Sequence, residues 1–267
     1  MMRGLLHPVR ASCLAGICAA ALSGSLPAAE RADQPADVVV YGCTPAGIAA
    51  AIAVKRGKRS VVLACRDNWI GGLSTNGLGY ADAGDHAAIG GLARQFYRDI
   101  RSYYRSRNIT DIPAPQAHPG VKNDDRDTQW VFEPHVAEEI YRAWLRRNGI
   151  TPLFDFRLRL DRTGVAARGG AVTEMRAEDG RRLAGRVFVD ATYEGDLMAT
   201  AGITFTVGRE SNAHYGETLN GNQPRSAVAH QFDRDVDPYV VPGHPESGLL
   251  PRIEPEPAGQ EGVGDHR

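Results

Sequence analysis

Cysteine is scarce in this chain. Four in 267 residues (Cys13, Cys18, Cys43 and Cys65) exclude a disulfide-rich scaffold. Aromatic residues are also few, at 7%, and no internal repeat is visible, which excludes repeat architectures. Neither charge dominates. With 31 Lys and Arg against 32 Asp and Glu, the formal charge is −1, so no broad basic field exists to attract nucleic acid or an anionic membrane. No apolar run reaches the roughly 18 residues needed to cross a bilayer. His118, His214, His230 and His244 lie in polar stretches without metal-ligand spacing, so no metal is expected. Ser74 lacks a G-x-S-x-G setting, which argues against a hydrolase nucleophile.

What is present begins with a leader. Arg3 and Arg10 precede an apolar run from Ala11 to Leu22, followed by the small-residue stretch Ser23 to Ala29. That order predicts a secretory signal peptide over residues 1–29, cleaved between Ser25 and Ala29. Neither a lipobox nor a twin-arginine pair accompanies it. The expectation is therefore a periplasmic or secreted protein with no stable membrane anchor after cleavage. Cys13 and Cys18 leave with the leader, and Cys43 and Cys65 remain.

The remaining pattern predicts an α/β protein. Val38-Val39-Val40 is a β-branched run suited to a strand buried in a parallel sheet. Pro45 suits the first position of a helix, Ala46 to Arg56 carries good helix formers, and Gly57 reads as its stop. Ser60 to Leu63 is the second strand, which completes a βαβ unit of about 30 residues. A glycine-rich loop runs from Arg66 to Gly91. A helix from Leu92 to Arg105 follows, with Phe96, Ile100 and Tyr103 on one face. Residues 106–127 read as loop. Another helix opens at Pro134, buries Val136, Ile140 and Trp144, and stops at Asn148-Gly149. Leu153 to Leu160 then alternates apolar and charged residues, as a half-exposed antiparallel strand does. Asp179-Gly180 signals a hairpin, and Gly185 to Thr192 reads as a buried strand. The stretch 151–184 is thus expected to be an antiparallel meander inserted before the chain rejoins the parallel sheet.

Three motifs carry chemistry. Gly42-Cys43-Thr44-Pro45-Ala46-Gly47 keeps the first and third glycines of G-x-G-x-x-G. The first permits a tight turn and the third permits close helix–strand packing; the second, which admits the pyrophosphate, is Thr44. The Thr44 hydroxyl is a candidate phosphate donor, beside the free N–H groups of the helix start. Cys65 stands where a ribose-binding carboxylate is usual, and a thiol is a poor acceptor. Gly71-Gly72 follows six residues later, in the E-x(5)-G-G register of flavin adenine dinucleotide enzymes. Finally, "VFVDATYEGD" (Val187 to Asp196) resembles the late strand end "hhhDATGDGD" of flavoproteins.

These stretches, with "IGGLSTNGLGYAD", "GGLARQFYRDI" and "FEPHVAEEIYRAWL", resemble the FAD-dependent oxidoreductase family, some members of which are labelled xanthan lyase-like. The resemblance implies a Rossmann-like, glutathione-reductase-type FAD-binding domain over residues 37–207. It implies the start of a substrate domain, or a truncated tail, over 208–267. Such proteins are usually about twice this length, so a fragment is expected. The cofactor that the resemblance implies is FAD. Its implied binding residues are Gly42, Thr44, Pro45, Ala46, Gly47, Cys65, Gly71, Gly72, Ser74, Thr75, Ala191 and Thr192. Asp82, Asp85 and His86 are candidate acids or bases near the isoalloxazine, with solvated loop residues as the alternative. Glu133-Pro134-His135 matches a family motif but also reads as an ordinary helix start, which is the favoured reading. The substrate would be a small or carbohydrate-related molecule. A truncated, non-catalytic nucleotide-binding module and an NAD(P)-dependent oxidoreductase are the competing readings. Cys43 and Cys65 are expected to be free thiols. A disulfide is the alternative, and it requires both to stand at the carboxyl ends of adjacent parallel strands.

Overall fold

The computed structural model describes residues 35–81, 84–112, 127–221, 236–251 and 253. The predicted leader, Asp82, His118, His230 and the polar stretch after Glu254 lie outside the described residues. One five-stranded sheet organises the rest, in the order β2-β1-β5-β4-β3. Its strands are β1 (Ala36–Tyr41), β2 (Val61–Ala64), β3 (Val165–Arg168), β4 (Ala171–Arg176) and β5 (Arg182–Asp190). β1 runs parallel to β2 on one side and to β5 on the other, with Val38 opposite both Val61 and Val187.

Helix α1 (Pro45–Arg56) joins β1 to β2. Proline opens it, as expected, because the missing N–H costs nothing at that position. Its end differs in detail. Gly57 caps the helix in an ordinary backbone region, while Lys58 takes the left-handed turn at φ 56°. Helices α3 (Gly91–Ser106) and α4 (Pro134–Arg147) pack on the same sheet face as α1. In α3 the buried row is Phe96, Ile100 and Tyr104. Tyr104 replaces the expected Tyr103 because Tyr104 hydrogen-bonds Glu133: its hydroxyl donates to Oε2 at 2.6 Å and accepts from the Glu133 N–H at 2.9 Å. Glu133-Pro134-His135 is therefore the helix start that its residue types suggested. Phe96 stacks on Tyr141 at 4.6 Å between centroids, and Val136, Ile140 and Trp144 are buried as expected.

The two faces of β1 serve two cores. Val40 and Leu63 join the helical side; Val39, Tyr41 and Ala64 face Phe156, Leu158 and Met175 on the other. That alternation follows from the period-2 geometry of a strand.

Two strand expectations are corrected. Leu153 to Leu160 is no antiparallel strand. Leu153 makes an isolated parallel bridge to Ala64, Asp155 breaks the extension at φ 55°, and Leu158 bridges Ala177 antiparallel. The alternation seen in the sequence is real, since Phe156 and Leu158 are buried and Arg157 and Arg159 are exposed. The segment simply changes partner midway. The second correction concerns Gly185 to Thr192. The meander and the parallel sheet share one nine-residue strand: β5 pairs antiparallel with β4 through 182–184 and parallel with β1 from Gly185 onward. Gly185 stands at the change of partner, where a Cβ would press on Val39 Cγ2 at 2.8 Å. Arg186 and Val187 are exposed, so this strand is not buried on both faces. The Asp179-Gly180 hairpin joins β4 to β5, with Gly180 at φ 90°.

Candidate functional site

The chain leaves β1 toward β2 by α1, while β5 lies on the other side of β1. The order therefore reverses at β1, and a crevice opens outside the carboxyl ends of the three parallel strands. It encloses about 300 Å³. Its floor is the turn after β1, where Gly42 lies in the left-handed region at φ 109° and donates its N–H to the Ala64 carbonyl at 2.9 Å. A Cβ at Gly42 would stand 2.6 Å from the Ala191 carbonyl carbon. Gly47 packs α1 onto that turn so closely that a Cβ there would meet the Gly42 oxygen at 1.9 Å. Both glycines are thus demanded by backbone packing between β1, α1 and the end of β5.

Thr44 is corrected. It caps α1, accepting from the Gly47 N–H at 3.3 Å and donating its proton to the Ala191 carbonyl at 2.7 Å. The hydroxyl proton is committed inside the protein rather than offered to a phosphate. Cys43 and Cys65 are corrected too. They form a disulfide with Cα atoms 5.0 Å apart, because the parallel pairing of β1 and β2 sets their carboxyl ends side by side. The bond covalently joins the glycine turn to the position where a ribose-binding carboxylate was expected.

Gly71 donates its N–H to the Cys43 carbonyl at 2.7 Å and so ties the Gly-Gly loop to the same turn. Short helix α2 (Gly72–Thr75) follows. Thr75 is buried, donates to the Ile70 carbonyl at 2.6 Å and accepts from Trp69 Nε1 at 2.9 Å, so it shapes the loop from within. At the end of β5, Asp190 accepts from the N–H and hydroxyl of Thr192 and from the Met198 N–H at the start of α5 (Asp196–Thr200). Asp190-Ala191-Thr192 is therefore a structural turn that presents Thr192 to the crevice.

Of the predicted binding residues, Gly42, Thr44, Gly72 and Thr192 line the crevice. Gly47, Cys65, Gly71, Thr75 and Ala191 form the wall behind it, all buried. Pro45, Ala46 and Ser74 line a second cavity of about 250 Å³, against Tyr141 and Trp144. Burial there pushes the Tyr141 phenol well above its usual range. Asp85 and His86 do not reach the crevice. Asp85 caps a short 3-10 turn through the Ala87 N–H, and His86 is buried against Trp130 at 4.2 Å between ring centroids. The sequence reading missed Arg66, Asp67, Trp69, Asn76, Tyr193 and Glu194, which also line the crevice. Each neighbours a motif position, but only the folded strand ends bring them together. Among the described residues no group of His, Cys, Asp and Glu is placed to hold a metal, and no helix is long and apolar enough to cross a membrane.

A family model described as FAD dependent oxidoreductase matches residues 37–254. The chain belongs to this FAD-dependent oxidoreductase family. No curated protein sequence matches it. Solved structures similar to it include an L-amino acid deaminase from Proteus vulgaris, at 18% identity and TM-score 0.44, covering 66% of this chain and 51% of that one. Another is the L-proline dehydrogenase from P. horikoshii, at 15% identity and TM-score 0.44, covering 67% and 59%. A flavin-containing monooxygenase from Stenotrophomonas maltophilia is similar at 16% identity and TM-score 0.37, covering 60% and 38%. The chain thus spans less than two thirds of each of these proteins. The family's cofactor is FAD, and its members are oxidoreductases.

Proposed function

We propose that the crevice at the carboxyl ends of β1, β2 and β5 is the FAD site, and that the protein oxidises or reduces a small molecule outside the cytoplasm. The observation that carries this reading is the strand-order reversal at β1, with a side-chain-free Gly42 turn on its floor and the start of α1 beside it. Ligands in open α/β sheets bind at such a switch point, and the first turn of a helix favours the negative charge of a diphosphate.

The residues fit the diphosphate half of the cofactor. They fit the adenosine ribose differently from the usual pattern, because Cys65 is locked in a disulfide and offers no acceptor. The carboxylates that line the crevice are Asp67 and Glu194, and Asp67, two residues beyond the usual acidic position, takes the ribose hydroxyls. Bound FAD supplies hydride transfer at its isoalloxazine. The chain seats the diphosphate at the Gly42 turn and holds the strand ends rigid through the disulfide. It also anchors the Gly-Gly loop through the Gly71–Cys43 hydrogen bond. Two features support export: the leader pattern of residues 1–29 and a disulfide of the kind that persists in oxidising compartments. The substrates to screen first are small molecules, including the carbohydrate-related class that the resemblance suggests.

The test is purification of the exported chain, measurement of visible flavin absorbance, and bleaching by a reductant. A yellow, reducible protein is expected. A colourless chain that also fails to bind added FAD would overturn the reading.

A further inference from the structure

Thr44 and Cys65 leave the crevice short of the side chains expected to meet a dinucleotide, and its lining contains a charge that neither motif announces. Arg66 directly follows Cys65, and it is the sole cation among the described lining residues. Asp67 lies beside it but is paired with Arg157 at 3.0 Å. Arg66 instead reaches Glu194 Oε1 at 3.4 Å.

The position of that pair matters. Arg66 lies just beyond the end of β2 and Glu194 just beyond the end of β5, and β1 runs between them. Two strand spacings, roughly 10 Å, separate those ends. The ion pair therefore links segments that follow the two outer strands, and both residues line the same crevice as the turn that begins at Gly42. A diphosphate seated on that turn competes for the same space. Both side chains are about half exposed, 52% and 51%, so the pair is screened and worth little by itself. A guanidinium gains more from a phosphate, which it can grip through two parallel N–H donors.

We infer that Arg66 is the phosphate clamp of the nucleotide site, held in reserve by Glu194 until the ligand displaces that carboxylate. The inference rests on the reading of the crevice as the FAD site. Nothing covalent changes: the guanidinium exchanges one anionic acceptor for another, and Glu194 turns to solvent. Arg66 thereby compensates for the missing second glycine and the committed Thr44 hydroxyl.

The test is equilibrium binding to the full chain, with FAD followed by flavin fluorescence and ADP by calorimetry. ADP probes the diphosphate half alone. Arg66→Met weakens both ligands about tenfold or more, the usual consequence of losing a hydrogen bond between charged groups. Arg66→Lys retains part of the affinity. Glu194→Gln tightens both ligands several-fold by releasing the guanidinium, and that gain shrinks in the Arg66→Met background. Added salt weakens wild-type binding more than Arg66→Met binding. Circular dichroism melts check that the variants are folded, which the exposure of both side chains favours. Wild-type affinity retained within twofold by Arg66→Met overturns the inference alone. So does an equal gain from Glu194→Gln in both backgrounds. A wild-type chain that binds neither FAD nor ADP overturns the cofactor reading and this inference with it.

Discussion

Removing the Cys43–Cys65 disulfide is the most informative single perturbation of this fold. The bond closes a loop with a sequence separation of 22 residues, which holds α1 and β2. In the chain-entropy account a loop of this size restricts the unfolded state by about 3 kcal/mol. Both cysteines are buried in the native state, so alanine at each position leaves only small voids to add to that loss. The double variant Cys43→Ala/Cys65→Ala is expected to lose about 3 kcal/mol of unfolding free energy. For a domain of this size that corresponds to a fall of about 6–12 °C in melting temperature. Urea unfolding followed by circular dichroism measures it, with the wild type unfolded in the absence and presence of reductant. Reductant should bring the wild type down to the double variant and leave the variant unmoved. A double variant within about 1 kcal/mol of the oxidised wild type would refute the loop-closure reasoning. Two reactive thiols in the denatured, unreduced wild type freed of residues 1–29, which carry Cys13 and Cys18, would remove its premise.

Two further outcomes follow from the same core. Thr44→Val removes the hydroxyl that caps α1 and donates to the Ala191 carbonyl, so it should cost about 1–2 kcal/mol in urea unfolding; Thr44→Ser should stay close to wild type, and equal stability of the valine variant would contradict the internal role. The Tyr104 phenol is pushed up to about 12 by burial and then by the Glu133 carboxylate that accepts its proton. A raised folded-state value means that this contribution is complete below the unfolded value near pH 10 and is lost as pH rises toward 12. Burial raises Tyr41, Tyr97 and Tyr141 in the same direction, so Tyr104→Phe should flatten the alkaline fall in stability without abolishing it. An unchanged slope in that variant would count against the Tyr104–Glu133 coupling.

How much of this was legible in advance depends on the range over which each signal acts. The βαβ unit was readable because its cues are local: a β-branched run, a proline at a helix start and apolar residues at helical spacing. Helix α4 was readable in the same way, from Pro134 to the Asn148-Gly149 stop. The change from antiparallel meander to parallel sheet was placed at Gly185, where it occurs, but that one unbroken strand serves both was not legible. β5 changes partner at Gly185 without any break in extension, and nothing local to that residue records which strand lies beside it. Leu153 to Leu160 failed for a related reason, since alternation reports which side chains are buried but not which neighbours bury them. Asp85 and His86 looked reactive as residue types; the fold uses them in turn capping and ring packing, and neither lines the crevice.

The residues by themselves determined the dinucleotide-binding class and the family, because Gly42, Gly47, Gly71-Gly72 and Asp190-Ala191-Thr192 mark turns whose backbone geometry few other residues permit. Tertiary structure alone decided what the two unusual positions do. Cys65 became the partner of Cys43 only because parallel pairing sets the ends of β1 and β2 side by side. The Thr44 hydroxyl turned inward only because Ala191, far along the chain, brings a carbonyl to within 2.7 Å. Arg66 faces Glu194 for the same reason: side-chain partners across a sheet are set by strand order, and strand order is a property of the whole fold.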